Sequence, residues 1–266
     1  NSGGPLVNLR GEVIGVNTAI FSRSGGNMGI GFAIPMKMAR DVMDSLIATG
    51  RVVRGFLGVV IQDVTEDIAK AMNVPVKSGV LIANVGQDTP AGKAGLRQGD
   101  IVINFNGVDV KEVNELRNAV AAVKPGNSIP VTVLREGNKM RIPVTIEEQP
   151  TDMSSAIRGE RGKPQAPEQA PEELLGMQLQ ELTPELAERL GYRGHAGVVI
   201  AEVGTEGPAA EAGLRQGTLL MEANRRPIRN MADLRAIISE TVPGQYVLFL
   251  ARMGQFSRFV AVKKPH

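Results

Sequence analysis

The feature that most constrains the fold is an internal repeat of domain size. The hexapeptide Ala-Gly-Leu-Arg-Gln-Gly at residues 94–99 recurs unchanged at 212–217, an offset of 118 residues. Solenoid repeats are shorter, roughly 20–45 residues, and each is one supersecondary unit. We therefore expect two domains of one kind, at 55–149 and 174–266. Residues 150–173 between them are rich in Pro, Gln and Glu, a composition that favours a flexible linker.

Local patterns within each repeat predict short strands and short helices. In the first repeat Thr65 and Thr89 are typical helix N-caps, and Thr183 takes the place of Thr65 in the second. Apolar residues between Val113 and Val123 recur at helical spacing, which predicts a longer helix. Frequent Gly and Pro mark the turns between these elements. The fold class that follows is mainly β with short helices, an α+β arrangement.

Residues 1–54 lie outside the repeat and predict a different structure. Their patterns indicate three strands, a Gly/Ser loop and a helix, at 6–9, 12–21, 28–34, 22–27 and 35–50 respectively. Three strands and one helix bury too little apolar surface to form a domain alone. We expect this segment to be the end of a larger domain, and the chain to be a fragment whose beginning is missing.

Composition excludes several kinds of site. The chain has no Cys, no Trp and only two His, so thiolate catalysis, disulfides and Cys-based zinc sites are excluded. A net charge of +2 does not provide the basic surface typical of nucleic-acid binding. No apolar run reaches the roughly 18 residues that a membrane span needs. We expect no cofactor, no metal, no nucleic-acid partner and no transmembrane segment.

Ser2 is a candidate nucleophile because Gly3 and Gly4 follow it. A nucleophilic serine needs a tight turn that exposes its hydroxyl and directs N–H groups at an oxyanion. A plain Gly-rich turn is the alternative without function. A nucleophile elbow would lead into a helix, whereas Pro5, Leu6 and the alternating apolar residues after them predict strands. An esterase of the elbow type is therefore disfavoured.

Four motifs carry a resemblance to a known family. They are Asn-Ser-Gly-Gly-Pro-Leu at 1–6, Gly-Val-Asn-Thr-Ala-Ile at 15–20, Gly-Ile-Gly-Phe-Ala-Ile-Pro at 29–35 and Arg-Gly-Phe-Leu-Gly-Val at 54–59. In order, they resemble the nucleophile motif, the specificity-pocket strands and the entry to the first PDZ domain of the HtrA/Deg family of envelope serine proteases. The two repeats resemble that family's tandem PDZ domains. The resemblance implies the C-terminal remnant of a chymotrypsin-like β-barrel at 1–54, followed by two PDZ domains.

The resemblance also implies roles for residues of the first segment. Ser2 would be the acylated nucleophile. The nucleophile and oxyanion loop would contain Asn1, Gly3 and Gly4. A pocket for small aliphatic side chains would be lined by Ile20 and Ile30.

Members of this family degrade unfolded or damaged envelope proteins and assemble from trimers. The resemblance thus implies misfolded proteins and C-terminal peptides as partners, a trimer-based homo-oligomer and a periplasmic location. In chymotrypsin-like chains the triad His and Asp precede the Ser. Here only Asn1 precedes Ser2, while His195 falls in a loop of the second repeat and His266 is the last residue. We expect the 266 residues alone to be inactive; a non-catalytic tandem-PDZ adaptor or chaperone-like protein is the alternative.

The resemblance places a peptide-binding groove in each repeat. PDZ domains bind an extended peptide as an added strand and capture its terminal carboxylate with main-chain N–H groups. The residues expected in the first groove are Arg54, Phe56, Leu57, Gly58, Val59, Ile61, Leu116 and Val120. Those expected in a second, weaker groove are Leu174, Leu175, Gly176, Met177, Leu234 and Ile238. Leu116 and Val120 would suit a plain hydrophobic core equally well.

Charge distinguishes the two grooves. We call Leu57 and Gly58 the first carboxylate loop, and Leu175 and Gly176 the second. Arg54 lies just before the first loop, whereas the offset places Glu172 before the second. A terminal carboxylate would be attracted in the first case and repelled in the second. We expect tighter peptide binding by the first repeat, and a role in assembly or weak avidity for the second.

Overall fold

The structure is a computed structural model, and it describes residues 1–20, 29–75, 79–86, 88–150 and 172–265. The chain divides into two units, Asn1–Arg54 and Gly55–His266. The loop predicted at 22–27 and most of the linker predicted at 150–173 lie outside the described residues.

The first unit is an antiparallel sheet with one helix. Its strands, in the order β1-β2-β3, are β1 (Pro5–Val7), β2 (Val13–Ile20) and β3 (Gly31–Pro35). Helix α1 (Met36–Thr49) follows β3 directly. It ends where Gly50 takes a left-handed conformation and its N–H bonds to Leu46 O, as helices often do at glycine.

Apolar side chains of the first unit lie largely on its surface. Among its described residues only Gly15 is buried, and no residue of α1 is. Phe32 is 55% exposed and Ile47 78% exposed. A sheet and helix with so little burial need another surface to cover them.

The first repeat forms a six-stranded sheet with helices around it. Its strands are β4 (Gly55–Phe56), β5 (Val59–Asp63), β6 (Val80–Val85), β7 (Ile101–Phe105), β8 (Val108–Asp109), β9 (Ser128–Arg135), β10 (Asn138–Thr145) and β11 (Glu147–Glu148). Its helices are α2 (Glu66–Ala71), α3 (Pro90–Ala94) and α4 (Val113–Ala122). The strand order is β10-β9-β7-β6-β5, β8 pairs with β7, and β4 pairs separately with β11.

The described residues of the second repeat form the same elements except a counterpart of β11, and one pairing differs. Its strands are β12 (Glu172–Leu174), β13 (Met177–Glu181), β14 (Val198–Val203), β15 (Leu219–Ala223), β16 (Arg226–Pro227), β17 (Tyr246–Met253) and β18 (Phe256–Lys263). Its helices are α5 (Pro184–Leu190), α6 (Pro208–Glu211) and α7 (Met231–Glu240). The strand order is β12-β13-β14-β15-β17-β18, so β12, the counterpart of β4, joins the main sheet.

The helix caps lie where the sequence predicts them. The hydroxyl of Thr65 accepts a hydrogen bond from Ile68 N, and that of Thr183 accepts one from Leu186 N. Thr89 likewise caps α3. Each cap satisfies an N–H group that has no partner within its helix.

Each repeat has its own hydrophobic core, and a third apolar cluster joins the two repeats. That cluster combines Ile68, Leu81, Ile101 and Leu134 of the first repeat with Leu248, Leu250 and Phe259 of the second. In the second repeat, the face equivalent to α2 and β6 forms a separate cluster of Leu186, Ala187, Tyr192, Val199 and Leu219. The repeats therefore share buried surface and belong to one structural unit.

None of the helices within the described ranges combines the length and the hydropathy needed to cross a membrane.

Candidate functional site

The turn that carries Ser2 is fixed to β2 by main-chain hydrogen bonds. Gly3 N donates to Asn17 O at 2.7 Å, and Gly4 N donates to Asn1 O at 3.0 Å. Gly3 has a φ of 84°, a conformation that glycine adopts without steric cost. The N–H groups of Gly3 and Gly4 thus shape the turn, whereas Ser2 N has no acceptor among the described residues and is left for a ligand.

The Ser2 hydroxyl lies beside an open cleft of about 590 Å³. Its Oγ donates to Thr18 O at 2.8 Å, a bond that holds the side chain against β2. Ile20 and Phe32 line this cleft together with Ser2, so its walls are partly apolar. Ile30, the other predicted pocket residue, is 51% exposed and is not one of the residues that line the cleft.

Neither histidine belongs to the unit that contains Ser2. His195 belongs to the second repeat, where burial, followed by the charge of Arg252, lowers its pKa. His266 lies outside the described residues. The first unit therefore holds a serine hydroxyl and a cleft without an imidazole to accept its proton.

The carboxylate loop of the first repeat is held by its carbonyl groups. Leu57 O accepts a hydrogen bond from Ala91 N at 2.9 Å, and Gly58 O accepts one from Gly86 N at 3.1 Å. The Thr89 hydroxyl lies 3.1 Å from Gly58 O and 2.7 Å from Gly86 O, so its one proton is shared between these two carbonyls. Neither Leu57 N nor Gly58 N donates to an acceptor among the described residues. Both N–H groups are thus available to a ligand.

Gly58 is required by the close approach of Thr89. A Cβ at Gly58 would lie 2.1 Å from Thr89 Cβ, and the φ of Gly58 is 79°. The sequence indicates Thr89 only as a helix cap, whereas its hydroxyl also contacts the carboxylate loop at Gly58 O. The sequence does contain a sign of this second contact. The offset places Gly207 at the position of Thr89, so the second repeat has no hydroxyl there.

Strand β5 is the edge strand of the first groove. Within the described residues it pairs only with β6, and α4 packs beside it. Val59 and Ile61 are half-buried, so part of each side chain reaches the groove. Leu116 and Val120 are 1% and 8% exposed and belong to the core of the repeat. The two helix residues therefore support the floor of the groove from inside.

The chain that leads into the first loop passes close under α4. Phe56 of β4 lies opposite Glu147 of β11. A Cβ at Gly55 would lie 2.2 Å from Val120 O and 2.7 Å from Val123 O, so only glycine fits there. Arg54 is exposed and is the last residue of the first unit.

The second groove differs from the sequence prediction at its entry. Glu172 and Glu173, predicted as linker, form strand β12 with Leu174. This strand pairs with β13, where Leu174 lies opposite Met177. The sequence predicts only that Glu172 repels a ligand's carboxylate. The structure adds that the backbone of Glu172–Leu174 occupies the edge of β13.

The remaining residues of the second groove are largely buried. Met177, Leu234 and Ile238 are 0%, 0% and 6% exposed. Leu174 and Leu175 pack against the same hydrophobic cluster. Gly176 O accepts a hydrogen bond from Gly204 N at 2.9 Å, which matches the bond between Gly86 and Gly58 in the first repeat.

Comparison with family models divides the chain as follows. Residues 1–43 match the trypsin family. Residues 28–146 and residues 199–252 each match a PDZ domain family. The order along the chain is thus a trypsin-like segment followed by two PDZ domains.

Curated relatives match almost the whole chain. A probable periplasmic serine endoprotease, DegP-like, of Chlamydia trachomatis serovar D is 38% identical over 265 residues, which cover 99% of this chain and 50% of the relative. A protein of the same description from Pseudomonas fulva is 42% identical over 237 residues, which cover 89% of this chain and 48% of the relative. The chain spans about half the length of the curated relatives it matches.

Solved structures of an HtrA-type protease match more than half of this chain. The HtrA-type protease AlgW with a tripeptide aligns with a TM-score of 0.51 and 41% identity, over 56% of this chain and 50% of that chain. The same protease with a decapeptide aligns with a TM-score of 0.50 and 41% identity, over 56% of this chain and 46% of that chain.

Proposed function

Because the chain belongs to the HtrA/DegP-like family of serine endoproteases, with a trypsin-like segment and two PDZ domains, we propose that it carries the nucleophile of a peptide-hydrolysing site at Ser2. The observation that carries this proposal is the Ser2 hydroxyl at the edge of a partly apolar cleft, on a turn that Gly3 makes possible. The chemistry is acyl transfer from a peptide carbonyl to Ser2 Oγ, followed by hydrolysis.

Residues of this chain would supply three parts of that reaction. Ser2 Oγ would leave Thr18 O and attack the carbonyl once a base accepts its proton. Ser2 N–H, which the turn leaves available, would contribute to stabilising the oxyanion. Ile20 and Phe32 favour a small aliphatic side chain next to the cleaved bond, with Ile30 proposed as a further wall.

The first PDZ domain would capture the C-terminal segment of a substrate. An extended peptide can add to the free edge of β5 as a further strand. Its terminal carboxylate would accept hydrogen bonds from Leu57 N and Gly58 N, which lack protein acceptors among the described residues. Phe56, Val59 and Ile61 would contact its apolar side chains, while Arg54 would attract its charge.

We assign unfolded or damaged proteins of the periplasm as substrates, because the curated relatives are named as periplasmic serine endoproteases. A trimer-based homo-oligomer would cover apolar side chains that the first unit leaves exposed, such as Phe32 and Ile47. The domains we assign are the end of the protease domain at 1–54, the PDZ domains at 55–149 and 174–266, and a linker that precedes β12.

A non-catalytic peptide-binding adaptor is the second candidate function. It is favoured by the hydrogen bond from Ser2 Oγ to Thr18 O and by the lack of any histidine between residues 1 and 54. For the same reason we propose that these 266 residues alone do not hydrolyse peptides.

One chimera separates the two functions. The segment that precedes the matched region in a DegP-like relative, which would supply a His and an Asp, is fused ahead of Asn1. We expect the chimera to hydrolyse unfolded casein, and Ser2→Ala to abolish the hydrolysis. A folded chimera that binds casein but does not cleave it would support the adaptor instead.

A further inference from the structure

The peptide edge of the second groove is occupied by the chain's own strand. β12 pairs with β13 on the side where β5 of the first repeat has no partner among the described residues. The pairs are Glu172 with Leu179, Glu173 with Gln178 and Leu174 with Met177. β12 runs antiparallel to β13 and ends at the loop of Leu175 and Gly176, which is the direction and position of an added C-terminal peptide.

The same Leu-Gly dipeptide has different conformations in the two repeats. Leu175 and Gly176 have φ values of 56° and 78°, a pair of positive values typical of a two-residue hairpin turn. In the Leu-Gly dipeptide of the first repeat, Gly58 has a positive φ of 79°, Leu57 does not, and Leu57 is buried in the core. The first dipeptide thus forms an open loop, whereas the second forms the tip of a hairpin.

The residue at the position of Gly55 explains why β12 does not follow the path of β4. Glycine is needed there because a Cβ would lie 2.2 Å from Val120 O. The offset places Glu173 at this position, and its side chain has no room between strand and helix. The chain before the second loop must therefore run elsewhere.

A lysine occupies the space that β4 has in the first repeat. Lys264 replaces Ile146, and its Nζ donates to Ile238 O at 2.8 Å and to Thr241 O at 2.7 Å. These two carbonyls are the equivalents of Val120 O and Val123 O, against which Gly55 packs. A cation at the end of α7 is also favoured by the helix dipole.

The described residues of the second repeat also form no counterpart of β11, the strand partner of β4. Phe56 pairs with Glu147, and the offset places Pro265 at the position of Glu147. Proline has no N–H to donate to a strand ladder. Steric exclusion, a competing ammonium group and the loss of a partner all direct the chain onto β13.

We propose that Glu172–Leu174 is a built-in ligand of the second groove, which a C-terminal peptide must displace in order to bind there. The side chain of Leu174 packs against the cluster that contains Leu234 and Ile238, where the terminal apolar side chain of a peptide would bind. The proposal rests on the proposed function only because that function identifies a C-terminal peptide as the ligand that competes with Glu172–Leu174. A strand tethered by two residues has a high effective concentration, so it weakens the apparent affinity of a free peptide.

A disulfide can lock the strand in place. Residues that flank a two-residue hairpin turn form a hydrogen-bonded pair, so Glu173 and Gln178 form the next, non-hydrogen-bonded pair. The Cα separation of such pairs suits a disulfide. Since the chain has no other Cys, Glu173→Cys/Gln178→Cys gives a protein that is locked when oxidised and free when reduced. Failure to oxidise under mild conditions would contradict the placement of β12.

The probe is a synthetic decapeptide that ends in two valines and a free carboxylate, with its C-terminal amide as the control. Amide NMR signals of Val59–Asp63 report the first groove, and those of Met177–Glu181 report the second. We expect the oxidised protein to respond only at the first groove. The reduced protein should respond at the second groove only at peptide concentrations at least about tenfold higher than those that fill the first. A second-groove response that is equal in the oxidised and reduced proteins would overturn the proposal.

A release variant tests the explanation. Glu173→Gly/Lys264→Ile restores the residues of the first repeat, and we expect it to bind the peptide at the second groove at least about tenfold more tightly than the unaltered chain does. Unchanged affinity in a folded variant would contradict the proposal.

If neither groove responds to the peptide, the proposed function of peptide capture is wrong. Amide exchange of β12 then tests separately whether this strand occupies the second groove. Protected N–H groups at Glu172 and Leu174 would support it, and fast exchange there would refute it.

Discussion

The side-chain amide of Gln62 pairs with the main chain of Phe259 in the other repeat. Gln62 Nε2 donates to Phe259 O at 3.1 Å, and Gln62 Oε1 accepts from Phe259 N at 2.8 Å. Gln62 belongs to β5, so the edge strand proposed to bind peptide is the strand that holds β18 of the second repeat. Because Gln62 makes both bonds with its side-chain amide, a substitution that removes its donor or its acceptor should lower stability.

We expect Gln62→Glu to lower the free energy of unfolding of the two-repeat unit by about 1–3 kcal/mol, because a carboxylate would face the carbonyl of Phe259 and leave it without a donor. Urea unfolding followed by circular dichroism measures the change. Gln180→Glu makes the same substitution one repeat later and serves as the control. Equal effects of the two variants would contradict the role of the Gln62 hydrogen bonds.

Ser2 should not be labelled by a fluorophosphonate in the 266-residue chain. The hydroxyl donates to Thr18 O, and the first unit has no histidine to accept its proton. Ser2→Ala should give the same background signal in gel fluorescence. Labelling that disappears in Ser2→Ala would show that another group activates the serine.

Amide exchange should differ strongly between the two units. β2 belongs to a unit in which Gly15 is the only buried residue among those described, whereas Val80–Val85 and Val198–Val203 cross hydrophobic cores. We expect β2 to exchange orders of magnitude faster than the two core strands, measured by hydrogen exchange and mass spectrometry. Slow exchange of β2 in a monomer would mean that its apolar side chains are covered in solution.

Gly58→Ala should both destabilise the first repeat and weaken its peptide binding. The new Cβ would lie 2.1 Å from Thr89 Cβ, at a φ of 79°. Gly137→Ala is a matched control, since its φ is 81° and no atom lies within 4 Å of the new Cβ. We expect Gly58→Ala to cost about 1–3 kcal/mol more than the control, and to weaken peptide binding at least tenfold. Similar melting temperatures and affinities for the two variants would argue against a rigid carboxylate loop.

Thr218→Val should stabilise the second repeat. Thr218 is 3% exposed, and its Oγ1 is buried without a hydrogen-bond partner in the described part of the chain. Removing an unsatisfied buried hydroxyl should raise the free energy of unfolding by about 1 kcal/mol. The control is Thr241→Val, which should instead destabilise, because the hydroxyl of Thr241 donates to Ile237 O. Thermal unfolding of both variants provides the comparison.

The helix caps and the family motifs were recognisable because each depends on residues close together in the sequence, and the repeat was recognisable from an identical hexapeptide. Thr65, Thr89 and Thr183 cap the helices that the sequence indicates, and the fold class, with its trypsin-like segment and two PDZ domains, is confirmed. The path of β12 was not predictable from the offset alone. It depends on Lys264 and the carbonyl groups at the end of α7, which are distant in sequence from Glu173 and meet each other only in the folded domain.

Leu116 and Val120 show a second limit of sequence patterns. Helical spacing identifies an apolar face but does not separate residues that support a groove from those that line it. The structure assigns both to the core, at 1% and 8% exposure. The direction of each side chain depends on how close α4 lies to β5, and the sequence pattern does not contain this distance.

The apolar cluster between the repeats joins two different faces, one from each repeat. Contacts between different faces can continue to further copies, unless the outer face of each repeat differs from the face that its counterpart uses. Both outer faces differ here. Tyr192 replaces Val74, is 2% exposed and donates its hydroxyl to Gly217 O, so the free face of the second repeat is already filled. In the first repeat Thr132 and Arg141 stand where the second has Leu250 and Phe259. The outer face of each repeat therefore differs from the face that its counterpart uses in the cluster between the repeats.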